Sequence, residues 1–490
     1  MKRTLICILA ALMVSSTACS GNTAETETEP VNTEVMETEE TETGRADVKD
    51  NLPEGLQFDG EQINVFIRPE CALFDATGDN SGDVVFDAVY NRNLSVEERL
   101  GIKLNYILTE GNDFNFMAQQ VYDSVMAGSD DYDILMQRGM QCFNQSLQGL
   151  YVDLADNNPY IDLKQPWWWE GTYKEGSIHE DKAYFLAGDI TVSVFLFNTA
   201  CFFNKDLMAD YSYDVDTLYN TVTEGKWTYD VFEEYCTGVY QDVNGDGKAS
   251  EDDVYAFHWL GWNSNYFVYS AGINYTERDA EGFPVLNLNT EKNIRYVEQI
   301  NRLLHENNYA NAIPSQDYLQ MIDRFTENKG LFMMGRINVA TGLYASNLRN
   351  MESPYGILPY PKHEEEDSYM SGTGAASGNL IAVPVTCQSF DATSAAIEAM
   401  CAENYRTVFP ALYETALKTK YSDTNKDAQM IDIIHDCAVT DFTSMAGIGG
   451  LVGGLANSGS NDFASQYNAT KEKEENMLKE MIETYKALGH

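Results

Sequence analysis

Residues 62–68 read Gln-Ile-Asn-Val-Phe-Ile-Arg, with Ile63, Val65 and Ile67 at alternate positions, the period-two pattern of a strand. From Val84 to Leu100 the apolar residues recur at helical spacing, and Gly101 follows where a helix stop favours a left-handed residue. Ile102, Leu104, Tyr106 and Leu108 alternate again, a second helical stretch covers about 113–127, and the apolar run Tyr132–Met136 follows. Strand, helix, strand, helix, strand in that order is the pattern of a doubly wound α/β sheet with parallel pairing. Ligands of such sheets bind beyond the carboxyl ends of the strands, which here means Arg68-Pro69-Glu70 and Gln137-Arg138-Gly139.

The pattern restarts further along. Val192–Asn198 reads as a strand, Trp227–Tyr240 as a helix with Thr228 as its N-cap, and Val254–Leu260 as a strand. Helices are expected at about 291–306, 316–327, 391–417 and 470–488. These make a second α/β lobe with closing helices. No internal repeat is visible, which argues against solenoids and propellers.

The 490 residues carry 76 Asp and Glu against 32 Lys and Arg, a formal net charge of −44. Such a polyanion is repelled by nucleic-acid phosphates and by anionic lipid headgroups, so neither is an expected partner. Lys2 and Arg3 precede an apolar run from Leu5 to Val14, too short to span a bilayer and suited to a secretory signal. The run ends in Ser16-Thr17-Ala18-Cys19, which resembles a bacterial lipobox with Ser16 where Leu is preferred. That resemblance implies a signal peptide at 1–18 and a lipid on Cys19; cleavage after Ala18 without a lipid is the alternative. Residues 19–54 are rich in Glu and Thr and poor in apolar side chains, so they are expected to form a disordered acidic tether. No later stretch has eighteen uninterrupted apolar residues, so behind a secretory signal the rest of the chain is expected outside the cytoplasm. Of nine cysteines, those after Cys19 are scattered and never in a CxxC pair, so free buried thiols are expected and no zinc site or disulfide framework.

One local motif is metal-like. In Asp242-Val243-Asn244-Gly245-Asp246-Gly247-Lys248-Ala249-Ser250-Glu251-Asp252-Asp253, oxygen donors fall at loop positions 1, 3 and 5, Gly at 6 and an acid at 12, the register of an EF-hand loop. Asp242, Asn244, Asp246, Lys248 through its carbonyl, Ser250 and Asp253 would bind a structural calcium ion; Asp at position 12 is shorter than the usual Glu. A turn that binds nothing is the alternative. All six tryptophans lie between 167 and 262. Indoles stack on the C–H faces of sugars, although any single Trp is as well explained as core. Because three consecutive indoles cannot all point into one core, at least one of Trp167, Trp168 and Trp169 is expected to face a cleft or solvent. The sequence contains no HExxH, GxSxG, P-loop or GxGxxG motif; the glycine-rich stretches 372–378 and 447–453 miss the spacing.

Several stretches, in order, resemble the bacterial extracellular solute-binding proteins of ABC importers, of the maltose-binding-like, carbohydrate-associated kind. They are Phe197–Leu207 (FNTACFFNKDL), Gly225–Asp230 (GKWTYD), Phe325–Met334 (FTENKGLFMM), Gly356–Lys362 (GILPYPK), and Leu417–Tyr421 (LKTKY) followed by Met430–Ile434 (MIDII). Asn328 stands where a Gly is usual and can take the same left-handed turn. The resemblance implies a two-lobed type II periplasmic-binding-protein fold, with hinge crossings near 189–192, 363–371 and 438–442. One lobe would comprise 55–190 and 370–438, the other 191–366 and 440–490, with ligand between them. It implies capture of a carbohydrate, an oligosaccharide by preference, and delivery to the transmembrane subunits of an ABC importer by a lipid-anchored monomer that is not an enzyme. The alternative is a surface enzyme acting on glycans. The residues expected at the cleft are Arg68, Glu70, Trp167, Trp168, Trp169, Asp189, Trp262, Asn263 and Arg336.

Overall fold

The computed structural model describes residues 44–488 apart from 157, 262–263, 274, 315–316, 342–347, 349–350, 373 and 418–424. Cys19 and the acidic segment up to 43, Trp262 and Asn263 therefore lie outside the described residues. The strands in chain order are β1 (Glu61–Ile67), β2 (Ile102–Leu108), β3 (Ile134–Arg138), β4 (Thr199–Asn204), β5 (Tyr255–Leu260), β6 (Thr276–Arg278), β7 (Pro284–Leu286), β8 (Ala310–Ile313), β9 (Gly330–Arg336), β10 (Tyr355–Leu358) and β11 (Asn379–Ala382).

The opening stretch builds the first sheet, in the order β11-β3-β1-β2. β1 pairs in parallel with β2, from Glu61 opposite Ile102 to Ile67 opposite Leu108, and in parallel with β3. β11 returns antiparallel to β3, with Asn379 opposite Arg138. Ile63, Val65 and Ile67 are buried in one core, while Phe66 points the opposite way into another, so both faces of the strand are covered. The helix Val84–Leu100 begins where the Asp83 side chain accepts from the amides of Val85 and Phe86, and ends at Gly101 with φ +62°. Asp113 caps Phe114–Met126 in the same way.

The second sheet runs β10-β4-β9-β5-β8. β9 is central, parallel to β5 and antiparallel to β4; β5 pairs in parallel with the edge strand β8, and β10 is antiparallel to β4. Ahead of β9, Asn328 takes φ +61°, the left-handed turn expected of it, and its side-chain oxygen accepts from Asn204 Nδ2 at 2.5 Å. Thr228 caps Tyr229–Cys236, as expected.

Two expectations need correction. Val192–Asn198 is not a strand: Val192–Leu196 is a buried helix, and the strand starts at Thr199. A short run that is apolar on every side is compatible with either form, because burial all round leaves no period to read. Two glycines of 372–378 serve this helix: a Cβ on Gly374 would come within 2.1 Å of the Val194 carbonyl, and one on Gly378 within 2.6 Å of the Val194 amide. The expected helix 391–417 is interrupted, with Phe390–Glu403 and Phe409–Leu417 joined through a wider, π-type turn at Asn404–Val408. Pro410 has no amide hydrogen to continue the ladder, which accounts for the break.

The seven cysteines among the described residues are free, and Cys71, Cys142, Cys201, Cys236 and Cys401 are buried. Among the described residues no helix is long and apolar enough to cross a membrane.

Candidate functional site

β1 and β3 of the first sheet and β5 and β9 of the second bring their carboxyl ends to one cavity of about 400 Å³. Strand ends supply Arg68 just after β1, Arg138 closing β3, Leu260 closing β5 and Arg336 closing β9. Helix starts and the loops before them add Glu70, Asn112, Phe114, Tyr318 and Asn338, and Phe197 and Ser377 complete the wall. This is the placement that parallel strands dictate, since the chain must turn at the carboxyl end of each and the turns expose side chains.

Arg68 is 3% exposed and held on three sides. Its Nε donates to Asn379 Oδ1 at 3.0 Å, its Nη2 to the Ser377 carbonyl at 2.7 Å, and its Nη1 to Glu70 Oε2 at 3.2 Å. Behind it, Asp75 accepts from the Ser193 amide and hydroxyl and from Asn379 Nδ2. Complete burial still pushes the Asp75 carboxyl up to about 6, against those hydrogen bonds and the Arg68 charge. Arg138 donates to the Ala376 carbonyl at 3.3 Å, and its guanidinium lies 4.4 Å from the centre of the Phe114 ring. Burial, and then the charge of Arg68, depress its pKa. Arg336 donates to Ser377 Oγ at 3.2 Å and to the Tyr266 hydroxyl, with the Tyr266 and Phe197 rings 4.9 and 5.3 Å from its guanidinium. Tyr318 donates to Asn338 Oδ1 at 3.2 Å.

Phe114, Phe197, Tyr318 and Leu260 offer apolar faces, while Arg, Asn, Ser and Glu side chains offer directed polar contacts. A concave wall that combines aromatic faces with fixed polar groups suits a small solute. One carboxylate, Glu70, faces the cavity among the described residues, whereas glycoside hydrolysis ordinarily uses a pair.

Arg68, Glu70 and Arg336 are thus brought together, as the reading of strand ends expects. The tryptophans are not. Trp167, Trp168 and Trp169 are 0, 6 and 6% exposed, so the expectation that one faces a cleft or solvent is overturned. Trp167 and Trp168 enter the core shared with Ile63 and Val65, while Trp169 enters the one shared with Phe66. Three consecutive indoles need not leave the interior when the segment runs between two cores. Trp168 Nε1 donates to Glu398 Oε2 and Trp169 Nε1 to Asp189 Oδ1, each at 3.0 Å. Asp189 is wholly buried, faces His435 Nε2 at 3.2 Å and does not line the cavity; it anchors the interior. Arg138 lay at a strand end picked out by the fold rule yet outside the expected contacts. Asn112, Phe114, Phe197, Leu260, Tyr318, Asn338 and Ser377 gave no signal, since sequence period does not say which turn meets the opposite lobe.

The loop 242–253 closes on its own amides. Asp242 accepts from Gly245 and Gly247, Asn244 from Asp246, and Asp246 from Lys248, at 2.7–2.9 Å. Gly245 and Gly247 take φ +71° and +72°, the turn for which glycine is needed. Asp253, fully buried, accepts from the amides of Val243 and Ser250 and from the Tyr240 hydroxyl. The backbone turn and the oxygen donors suit calcium, but the closing carboxylate is turned onto amides. Among the described residues no group of three or more His, Cys, Asp or Glu side chains is placed to hold a metal ion, and a calcium site here would draw on the side-chain oxygens of Asn244 and Ser250 and the Lys248 carbonyl as well.

Two α/β sheets directing their strand ends into one shared cavity are the two-lobed, type II periplasmic-binding-protein fold of ABC-transporter solute-binding proteins. Three solved structures make the likeness specific. An ABC substrate-binding protein from Listeria monocytogenes, in complex with cycloalternan, is similar over 86% of this chain and 99% of its own, at 13% identity and a TM-score of 0.51. UgpB from Mycobacterium tuberculosis, in complex with glycerophosphocholine, is similar over 86% and 100%, at 14% and 0.51. A cyclo/maltodextrin-binding protein complexed with maltotetraose is similar over 88% and 97%, at 11% and 0.52. At these identities the likeness is one of fold. No protein-family model matches the sequence, nor does any curated protein.

Proposed function

We propose that this protein is an extracytoplasmic solute-binding protein that captures a carbohydrate, by preference an oligosaccharide, and delivers it to the transmembrane subunits of an ABC importer. The observation that carries the reading is the cavity between the strand ends of the two sheets, where the Phe114, Phe197 and Tyr318 rings stand beside Asn112, Asn338 and three arginines. Aromatic faces stack on sugar C–H surfaces and planar polar groups take the hydroxyls. Binding there breaks no bond; closure of the lobes would be stabilised by contacts that exist only in the closed state.

The test is a thermal-shift screen of mono- and oligosaccharides with product analysis on the same samples. A stabilised protein and an intact glycan support the reading, because a ligand bound to the native state adds RT ln(1 + [L]/Kd). Turnover of the glycan would replace capture with an enzyme acting on glycans.

The chain would act as a monomer tethered to the outer face of the membrane through a lipid on Cys19 and the acidic segment 19–54. Cys19→Ala should then release it into the medium, and unchanged membrane association would remove the anchor. A calcium ion in the loop 242–253 belongs to the same proposal, with Asp242, Asn244, Asp246, the Lys248 carbonyl, Ser250 and Asp253 around it. Melting at lower temperature in chelator, restored by calcium, supports the ion; identical curves remove it.

A further inference from the structure

The cavity is electropositive inside a strongly acidic chain. Its described wall carries three arginines against a single glutamate, while the whole sequence has a net charge of −44. The arginines also converge. Arg138 donates to the carbonyl of Ala376, Arg68 to the carbonyl of Ser377, and Arg336 to the hydroxyl of Ser377, so three guanidinium groups gather around two consecutive residues. Glu70 is engaged with Arg68, and Arg138 forms no ion pair among the described residues. Like charges gathered in a partly dehydrated site repel one another. Burial and the neighbouring Arg68 disfavour the charge on Arg138 by more than Glu70 and Cys71 favour it, an imbalance that an anion in the cavity would relieve. A neutral oligosaccharide gives these groups hydroxyls to bond but no counter-charge. A carboxylate or phosphate matches the planar fork of a guanidinium with two parallel hydrogen bonds. The ring of Phe114, beside Arg138 in the same wall, offers an apolar face to a sugar.

We propose that the cleft selects an anionic saccharide, whose oxyanion is held by Arg138 and Arg336 with Arg68 fixed behind them. The proposal rests on the carbohydrate reading and narrows its substrate class. The chemistry is shared by a uronic-acid carboxylate and a sugar phosphate, and separate probes distinguish the two.

The experiment is calorimetric titration of the full mature chain with trigalacturonate, its methyl ester, glucose 1-phosphate, maltotriose, tricarballylate and inorganic phosphate, at low and high salt. At least one of the two charged sugars should bind, more weakly as salt rises, and the one that binds identifies the oxyanion. The methyl ester and maltotriose should bind roughly 10- to 100-fold more weakly or not at all. Arg138→Gln, checked for an unchanged melting temperature without ligand, should weaken binding of the charged sugar by a similar factor. Arg138→Lys, which keeps the charge and loses the fork, should fall between. Equal binding of trigalacturonate and its ester, or maltotriose binding as tightly as the charged sugars, would overturn the anion selectivity while leaving the carbohydrate reading in place. An Arg138→Gln protein that binds like the parent would overturn it too, as would no heat from either charged sugar or from millimolar phosphate. Tricarballylate or inorganic phosphate binding as tightly as the charged sugars would keep the oxyanion site and remove the carbohydrate.

Discussion

Glu398 sits in the helix Phe390–Glu403 with no exposed surface. Its Oε2 accepts from Trp168 Nε1 at 3.0 Å and from the Asp162 amide at 3.3 Å, and its Oε1 has no hydrogen-bond partner among the described residues. Burial raises the carboxyl to about 8 from an ordinary 4.5; the two hydrogen bonds oppose the rise and the charges of Asp162 and Asp50 add to it. The folded protein therefore holds this proton at neutral pH, where the unfolded chain has lost it. A folded pKa above the unfolded one gives stability that is fully present below 4.5 and is lost as pH rises toward 8. At about 1.4 kcal/mol per unit, the loss reaches roughly 3 kcal/mol by pH 7. Glu398→Gln keeps a carbonyl for Trp168 and carries no charge, so the variant should be spared that loss. Its amide lacks a partner where Oε1 was, an offset of about 1–3 kcal/mol that does not vary with pH. The slope is therefore the diagnostic. Urea unfolding of both proteins from pH 5 to 8 should give a stability difference that shifts in favour of the variant by about 1 kcal/mol per pH unit. Parallel curves would refute the buried, protonated carboxyl.

His435→Gln should behave in a neighbouring window. Burial disfavours the imidazolium, but hydrogen bonds with Asp189 and Asp436 outweigh it and raise the pKa to about 9. The parent's advantage over the variant should be present at pH 6 and fade as pH climbs through 9, by at most roughly 3 kcal/mol, read from unfolding curves. Gly188→Ala would set a Cβ 2.5 Å from the Trp167 carbonyl and 2.8 Å from Cys401 Sγ, so about 1–3 kcal/mol of stability should be lost. A melting temperature equal to the parent's would contradict that packing of the tryptophan segment.

The half of the fold that was legible had contrast in its sequence. β1 alternates, the helix Val84–Leu100 does not, and Asp83 and Gly101 mark that helix at both ends. Where the contrast vanished, reading failed: Val192–Leu196 is apolar on all sides, and its helical form follows from the bond of Ser193 to Asp75 and the close approach of Gly374 and Gly378. The site divided along the same line. Arg68 and Arg336 were readable because each follows an unmistakable apolar strand, and the fold rule then places them at the cleft. Phe114 and Tyr318 are first residues of ordinary helices, and their role depends on how the opposite sheet is set. The tryptophans were misread because indole stacking and core packing use the same surface. Only the partners of Trp168 and Trp169, Glu398 and Asp189, separate the two.

The central claim is that a glycan is held, unaltered, against the aromatic wall of this cavity. It is tested most directly by calorimetric titration of the protein and its Tyr318→Ala variant with an oligosaccharide that stabilises the parent, the sugar being recovered and analysed afterwards. One site per chain, an intact sugar, and affinity roughly 10-fold or more weaker in the variant are expected. A cleaved sugar, or a variant that binds as the parent does, would contradict it.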